Sequence, residues 1–259
     1  MNIVVLVKQV PDTWSERTLR SDDNTVDRAA ADAVVNEMDE HGVEAALALK
    51  EAHGGEVTVV SMGPERTAET IRKALAMGVD KAVHICDDAL HGSCAVSTSA
   101  ALAAAIGTLA YDVVICGTEA SDARVGAMGG MLSERLGVPA LTSARSIVAD
   151  GSTVRIERQT DDGYEVVEAT TPLVISVIEK INEPRYPSFK GIMAAKKKQL
   201  STLSLADLGI EADSVGLAGA TSEVIEFSTA PPRGKGEVVP DDGTGGARIA
   251  GFLAAAKII

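Results

Sequence analysis

Aromatic residues are scarce and positive charge is outweighed: Phe, Trp and Tyr make up 3% of the 259 residues, and the formal net charge at pH 7 is −13. A nucleic-acid binder needs a basic footprint and usually rings on which bases stack, so that class is excluded. Cysteine is nearly absent. Cys86, Cys94 and Cys116 are widely spaced, form no CxxC pair and leave at least one thiol unpaired, which argues against a zinc or iron–sulfur site. Long apolar runs are missing too. The longest bland stretch, 95–110, is built of Ala, Ser and Thr and is shorter than the roughly 20 apolar residues of a spanning helix, so it reads as a buried helix with no membrane insertion. Met1 leads almost directly into the strand-like Ile3-Val4-Val5-Leu6-Val7 without the segments of a signal peptide, and the expectation is a cytoplasmic protein.

Catalytic constellations are lacking as well. His41, His53, His84 and His91 are scattered, with no G-x-S-x-G elbow and no H-E-x-x-H, so neither a catalytic residue nor a metal ligand is assigned. His84, inside an apolar strand, reads as a satisfied core residue.

What is present is alternation. Short β-branched runs at 3–7, 56–62, 82–86 and 112–117 alternate with helical patterns at 36–52, 65–77, 93–110 and 125–136. This predicts an α/β chain whose parallel sheet is covered by helices on both faces. Between 140 and 178 the pattern changes: 153–157 and 164–168 alternate apolar with polar around Asp161-Asp162-Gly163, an antiparallel hairpin. Beyond 178 come a proline-punctuated loop, a short amphipathic piece ending in Lys196-Lys197-Lys198, and a Gly/Ala/Ser-rich tail with Pro231-Pro232-Arg233-Gly234-Lys235-Gly236 and a last helix-like stretch, 247–258. The expected organisation is an α/β domain over 1–181, a presenting loop over 182–200 and a C-terminal arm over 201–259 that wraps a partner. The lysine run reads by default as a solvated helix end.

Two places could carry binding chemistry. The strand 111–117 runs into the loop Thr118-Glu119-Ala120-Ser121-Asp122-Ala123-Arg124-Val125-Gly126 and then a helix. In parallel sheets ligands sit at the carboxyl ends of strands, and a helix N-terminus offers free N–H groups to phosphate. Ser121, Arg124 and the backbone near Gly126 are candidate phosphate contacts; Glu119 and Asp122 would repel phosphate unless they face ribose hydroxyls or pair with Arg124. An ordinary solvated turn accounts for the same residues. The second place is Asn36-Glu37-Met38-Asp39, which resembles a capping box and is explained by that alone, or else lines an adenosine pocket beside the first strand. Trp14 reads either as the cover of an aromatic cofactor or as a surface or core-edge residue.

Asn182-Glu183-Pro184-Arg185-Tyr186, followed by Ile192-Met193-Ala194-Ala195-Lys196-Lys197-Lys198, closely resembles the beta subunits of electron-transfer flavoproteins. Leu6-Val7-Lys8-Gln9-Val10-Pro11-Asp12, Gly63-Pro64 and 69–78 match in the same order, so the resemblance covers nearly the whole chain. It implies a Rossmann-like, adenine-nucleotide-binding sheet in a heterodimer whose alpha subunit holds the redox-active FAD, while this subunit buries a structural AMP. By position, the AMP pocket would involve Leu6, Asn36, Glu37, Met38, Asp39, Met62, Ser121, Asp122, Arg124, Val125, Gly126, Ala127, Met128 and Gly129. Thr13, Trp14 and Met38 would approach the flavin. Asn182 to Tyr186 with Phe189, Ile192 and Met193 would dock acyl-CoA or other flavin dehydrogenases, with Phe189 as the apolar anchor, and a membrane quinone oxidoreductase or similar acceptor would take the electrons. The 118–126 loop is shorter than the family's usual one and lacks its second acid, so Arg124 becomes the cation that makes good the loss.

Three other readings stand beside this one: an adenylating or ATP-hydrolysing enzyme of similar fold, an adenine-nucleotide sensor, and a flavin-bifurcating relative with a second FAD in the AMP site. The first lacks an SGGxDS-like loop, and the second has no need of the proline-bounded loop or the tail.

Overall fold

The computed structural model describes residues 1–259 apart from 233, 235 and 237, so Arg233 and Lys235 of the proline–glycine run lie outside the described residues. Two compact units result, Met1–Ile225 and Glu226–Ile259.

In chain order the first unit contains β1 (Asn2–Leu6), β2 (Gln9–Pro11), β3 (Ala33–Val35), α1 (Glu37–His53), β4 (Glu56–Met62), α2 (Thr67–Met77), β5 (Lys81–Ile85), α3 (Ala95–Gly107), β6 (Val113–Gly117) and α4 (Met128–Leu136). Then follow β7 (Ala140–Asp150), β8 (Thr153–Thr160), β9 (Gly163–Thr170), β10 (Leu173–Val177), α5 (Phe189–Ala195), β11 (Leu200–Leu203) and α6 (Leu205–Leu208). Nine strands form one sheet in the order β11-β5-β4-β1-β6-β10-β7-β8-β9. It is parallel from β11 to β7, and β8 and β9 extend it as the expected antiparallel hairpin, closing at Thr160 opposite Gly163. The parallel α/β expectation therefore holds.

Period-two alternation divides the core. Ile3 and Val5 of β1, Val57 and Val59 of β4, and Val113 and Ile115 of β6 face α1 and α2, where Val43, Leu47, Ile71 and Leu75 close the layer. Val4, Leu6, Val60, Val114 and Cys116 face the opposite layer, closed by Leu102 and Ile106 of α3 and Leu132 of α4. Strands buried on both sides are mostly apolar, and β4 reads Val-Thr-Val-Val-Ser between its ends, its two polar residues being small hydroxyls.

One strand departs from expectation. Leu200–Leu203 adds to the free edge of β5, and beyond it Leu205 and Val215 bury against the α3 layer. In the second unit the helix α7 (Gly245–Ala255) follows the acidic turn, where Asp241 Oδ1 accepts from Gly243 N and Gly245 N.

Strand order also locates the crevice. From β1 the chain builds outward through β4 and β5, then returns to the other side of β1 as β6. The carboxyl ends of β1 and β6 thus flank a topological switch point, the place where ligands enter open α/β sheets.

Candidate functional site at the switch point

Asp39, in the first turn of α1, closes the floor of this crevice. It is buried, and its Oδ2 accepts from Lys8 N at 2.8 Å just past β1, with a further backbone hydrogen bond from Gly117 at the end of β6. Burial pushes its carboxyl up to about 7, although Lys8 N, Asn36, the Lys8 charge and Gly117 all favour the ionised form. Gly117 is required by this contact: a Cβ there would lie 2.6 Å from Asp39 Oδ1 and 2.9 Å from Met38 Cβ. Sequence reasoning did not single out Gly117 or Lys8, although Lys8 lies in the LVKQVPD run.

Asn36 overturns the capping reading. It occupies the N-cap position of α1, yet its side chain makes no cap hydrogen bond. It is 2% exposed and reaches across the crevice, its Nδ2 donating to Glu119 O at 3.0 Å and its Oδ1 accepting from Ser121 N at 3.1 Å. Asn36 therefore ties the start of α1 to the loop after β6. Beside it Ser121 Oγ is buried and, among the described residues, has no hydrogen-bond partner. Ser61 Oγ within β4 is unpartnered too, but Ser121 lies on a loop at the crevice, where a polar group from outside the chain could relieve the roughly 1–3 kcal/mol that an unpaired buried hydroxyl costs.

Asp122 is held by groups far away in sequence. Its carboxylate is 1% exposed and pairs with Lys8 Nζ at 2.8 Å and Arg28 Nη2 at 2.6 Å. Burial opposes its charge, but the two cations prevail and hold it below the usual carboxylate range. Both oxygens are thus engaged, and Asp122 does not pair with Arg124. Arg28 arrives on the 12–32 excursion between β2 and β3, which also sends Arg17 Nη1 to Ser121 O at 2.9 Å. Neither arginine was read as a site residue, because only the fold brings them to this loop.

Arg124 is mostly exposed, has φ +49°, and approaches Glu119 Oε1 at 3.9 Å. Gly126, at φ +66°, leads through Ala127 into α4, which starts at Met128, three residues later than its sequence pattern indicates. The two helix starts at the crevice differ in charge. The first turn of α1 carries Glu37, Asp39 and Glu40, whereas that of α4 carries no acid and its N-cap, Ala127, has only a methyl group and makes no side-chain cap hydrogen bond. A phosphate is therefore favoured at α4 and disfavoured at α1. Gly129 lets α4 lie close to Ser176 of β10, and Leu6 and Met62 supply apolar surface on the α3 and α4 side. Val125 is exposed.

A cleft of about 350 Å³ is lined by Ser121 together with Thr13, Trp14, Glu37, Glu40 and Lys73. Trp14 is 94% exposed beside this cleft. His84 is buried with Nε2 on Gly63 O at 2.9 Å, as a core histidine should be.

The 182–198 segment divides its labour. Its first part is anchored to α1: Asn182 Nδ2 donates to His41 O at 3.0 Å, and Arg185 grips Glu44 at 2.7 and 2.8 Å and Glu51 at 2.6 Å. Glu183 and Pro184 lie between these anchors, with Glu183 exposed. The second part projects: Tyr186 is 95% exposed and Phe189 81%, and Ile192 and Met193 are also exposed. Phe189 does not pack beneath its own helix. Lys198 departs from the solvated-end reading, because its Nζ donates to Leu75 O at 2.9 Å and Val79 O at 2.6 Å.

Comparison with known proteins agrees with this architecture. The Electron transfer flavoprotein domain matches residues 23–208. The electron transfer flavoprotein subunit beta of Mycobacterium tuberculosis is 53% identical over 264 aligned residues, covering 100% of this chain and 99% of the relative. That of Thermoanaerobacterium thermosaccharolyticum is 38% identical, covering 92% of each chain. The caffeyl-CoA reductase-Etf complex subunit CarD of Acetobacterium woodii is 34% identical, covering 98% of this chain and 96% of the relative. Matched across its whole length by proteins of one kind, the chain belongs to the beta subunits of the electron transfer flavoprotein family.

Proposed function

We propose that this subunit pairs with an electron transfer flavoprotein alpha subunit, holds AMP as a structural element at the β1/β6 switch point, and docks flavin dehydrogenases and a quinone oxidoreductase or similar acceptor through the 182–198 segment. The observation that supports the nucleotide assignment is the buried, unpartnered Ser121 Oγ on the loop that leads from β6 into α4, a helix whose first turn carries no acid. These residues fit AMP. The α4 N–H groups from Met128 with Arg124 and Gly126 would take the phosphate, Ser121 and the Asn36 to Asp39 turn the ribose and base edge, and Leu6 and Met62 the adenine face. Asp122 serves by holding Lys8 and Arg28, so the 12–32 excursion stays over the loop.

FAD, held mainly by the alpha subunit, supplies the electron-carrying chemistry when bound. This chain's part is to shape its surroundings: Thr13, Trp14 and Met38 would shield a ring brought up by the partner. No side chain here is assigned a reacting role. Docking rests on Phe189, a large exposed apolar side chain on a segment anchored by Arg185, and aromatic anchors of this kind dominate small transient interfaces.

The test is to co-express the chain with its alpha subunit, denature the purified complex and quantify released nucleotides by mass spectrometry. One FAD and one AMP per heterodimer is the expected result. Two FAD without AMP would replace the shuttle with a flavin-bifurcating complex, and absence of a stable flavin-bearing complex would overturn the reading.

A further inference from the structure

The helix α5 that carries Phe189, Ile192 and Met193 is seven residues long, too short to hold its shape alone in water. It lies against α2 with almost no gap at one point, where a Cβ on Gly191 would stand 2.3 Å from Ala76 O. Each helix also closes the other's C-terminus. Arg72, from α2, donates through Nη1 to Ala195 O at 2.6 Å and Lys198 O at 2.9 Å at the end of α5. Lys198, just past α5, returns two hydrogen bonds to Leu75 O and Val79 O at the end of α2. Carbonyls at a helix end have no intrahelical donor and concentrate negative charge, so a cation there is both a cap and a dipole partner.

We propose that Arg72 and Lys198 are positioning residues for partner docking, a reciprocal latch that holds α5 folded on α2 so that Phe189, Ile192 and Met193 meet a partner pre-arranged. This rests on the docking function proposed above. Neither cation touches a partner in this scheme. Loss of either frees the turn that presents Phe189, so encounter becomes less productive while electron transfer inside a formed complex is unchanged.

The test uses the heterodimer with Arg72→Gln, Lys198→Met and Phe189→Ala, and Arg72→Lys as the conservative variant. Amide hydrogen exchange over 189–198 is measured together with reduction of the heterodimer's flavin by an acyl-CoA dehydrogenase and its acyl-CoA substrate. The first two variants are expected to raise exchange at least about tenfold and the apparent KM for the heterodimer severalfold, with kcat and bound nucleotide unchanged and partial recovery in Arg72→Lys. Unchanged exchange, or faster exchange with an unchanged KM, overturns the latch while a raised KM in Phe189→Ala leaves docking standing. An unchanged KM in Phe189→Ala overturns the docking function itself, and with it the latch's role.

Discussion

Asp122 meets Arg28 at 2.6 Å across 94 positions of sequence, and the same buried carboxylate holds Lys8 on its other oxygen. Because Lys8 and Arg28 keep partial access to water, losing the acid strands neither in a dry interior. Asp122→Asn should cost about 1.5–3 kcal/mol, the range for hydrogen bonds to charged groups. The pH dependence has a definite sign. The native carboxyl titrates below its unfolded value, so its stabilisation is present above about pH 4 and is lost as pH falls through the lower native value. Urea unfolding of the wild-type and Asp122→Asn heterodimers should therefore differ at neutral pH and converge in acid; a constant gap would show that Asp122 acts by packing alone.

Asp39 has the opposite sign. Its native carboxyl is raised to about 7, so its favourable contribution is present below the unfolded value near 4 and lost as pH rises through about 7. Asp39→Asn removes that slope. It also weakens acceptance from Lys8 N and Gly117, which sets a constant offset. The stability of the variant relative to wild type should accordingly climb by up to about 4 kcal/mol between pH 4 and pH 7. A flat difference across that interval would mean that the two backbone donors keep the carboxylate ionised.

Gly117→Ala tests the crevice by volume instead of charge. The added methyl must displace Asp39 Oδ1 or Met38 Cβ, both under 3 Å from its ideal position. Overpacking of this kind costs about 1–3 kcal/mol. Since Asp39 and Met38 belong to the turn assigned to the nucleotide, AMP content of the purified complex should drop together with thermal stability. Full AMP content in a destabilised variant would separate that turn from the binding site.

What could be read from sequence followed locality. Both-face burial keeps β4 β-branched and apolar apart from the small hydroxyls of Thr58 and Ser61, so 56–62 was legible to the residue, and Asp161-Asp162-Gly163 declared its hairpin because the turn and its flanking alternation are contiguous. Leu200–Leu203 gave no such sign: an edge strand of four residues, two of them hydroxylic, needs β5 beside it before it looks like a strand. Asn36 misled for a deeper reason. A carboxamide at an N-cap position carries the same local signature whether it bonds its own helix or, as here, Glu119 and Ser121 more than 80 residues away. The partners of Asp122 were illegible likewise, since nothing near Lys8 or Arg28 says where the 118–126 loop will return.

Arg124 combines strain with charge, and two substitutions separate them. Its φ of +49° is a left-handed conformation that costs a residue with a Cβ about 1–2 kcal/mol, while glycine adopts it freely. Strain of this kind persists where the surrounding structure needs the residue in place. Arg124→Ala keeps the strain and loses the guanidinium; Arg124→Gly loses both. The glycine variant should be the more stable of the two by about 1 kcal/mol, the glycine advantage being trimmed by its larger unfolded-state entropy. Both should lose AMP more readily than wild type on gel filtration in high salt, and to the same extent, because retention depends on the cation. Retention that instead tracked stability, or matched wild type in Arg124→Ala, would remove Arg124 from the phosphate site and leave the acid-free N-terminus of α4 to hold the anion alone.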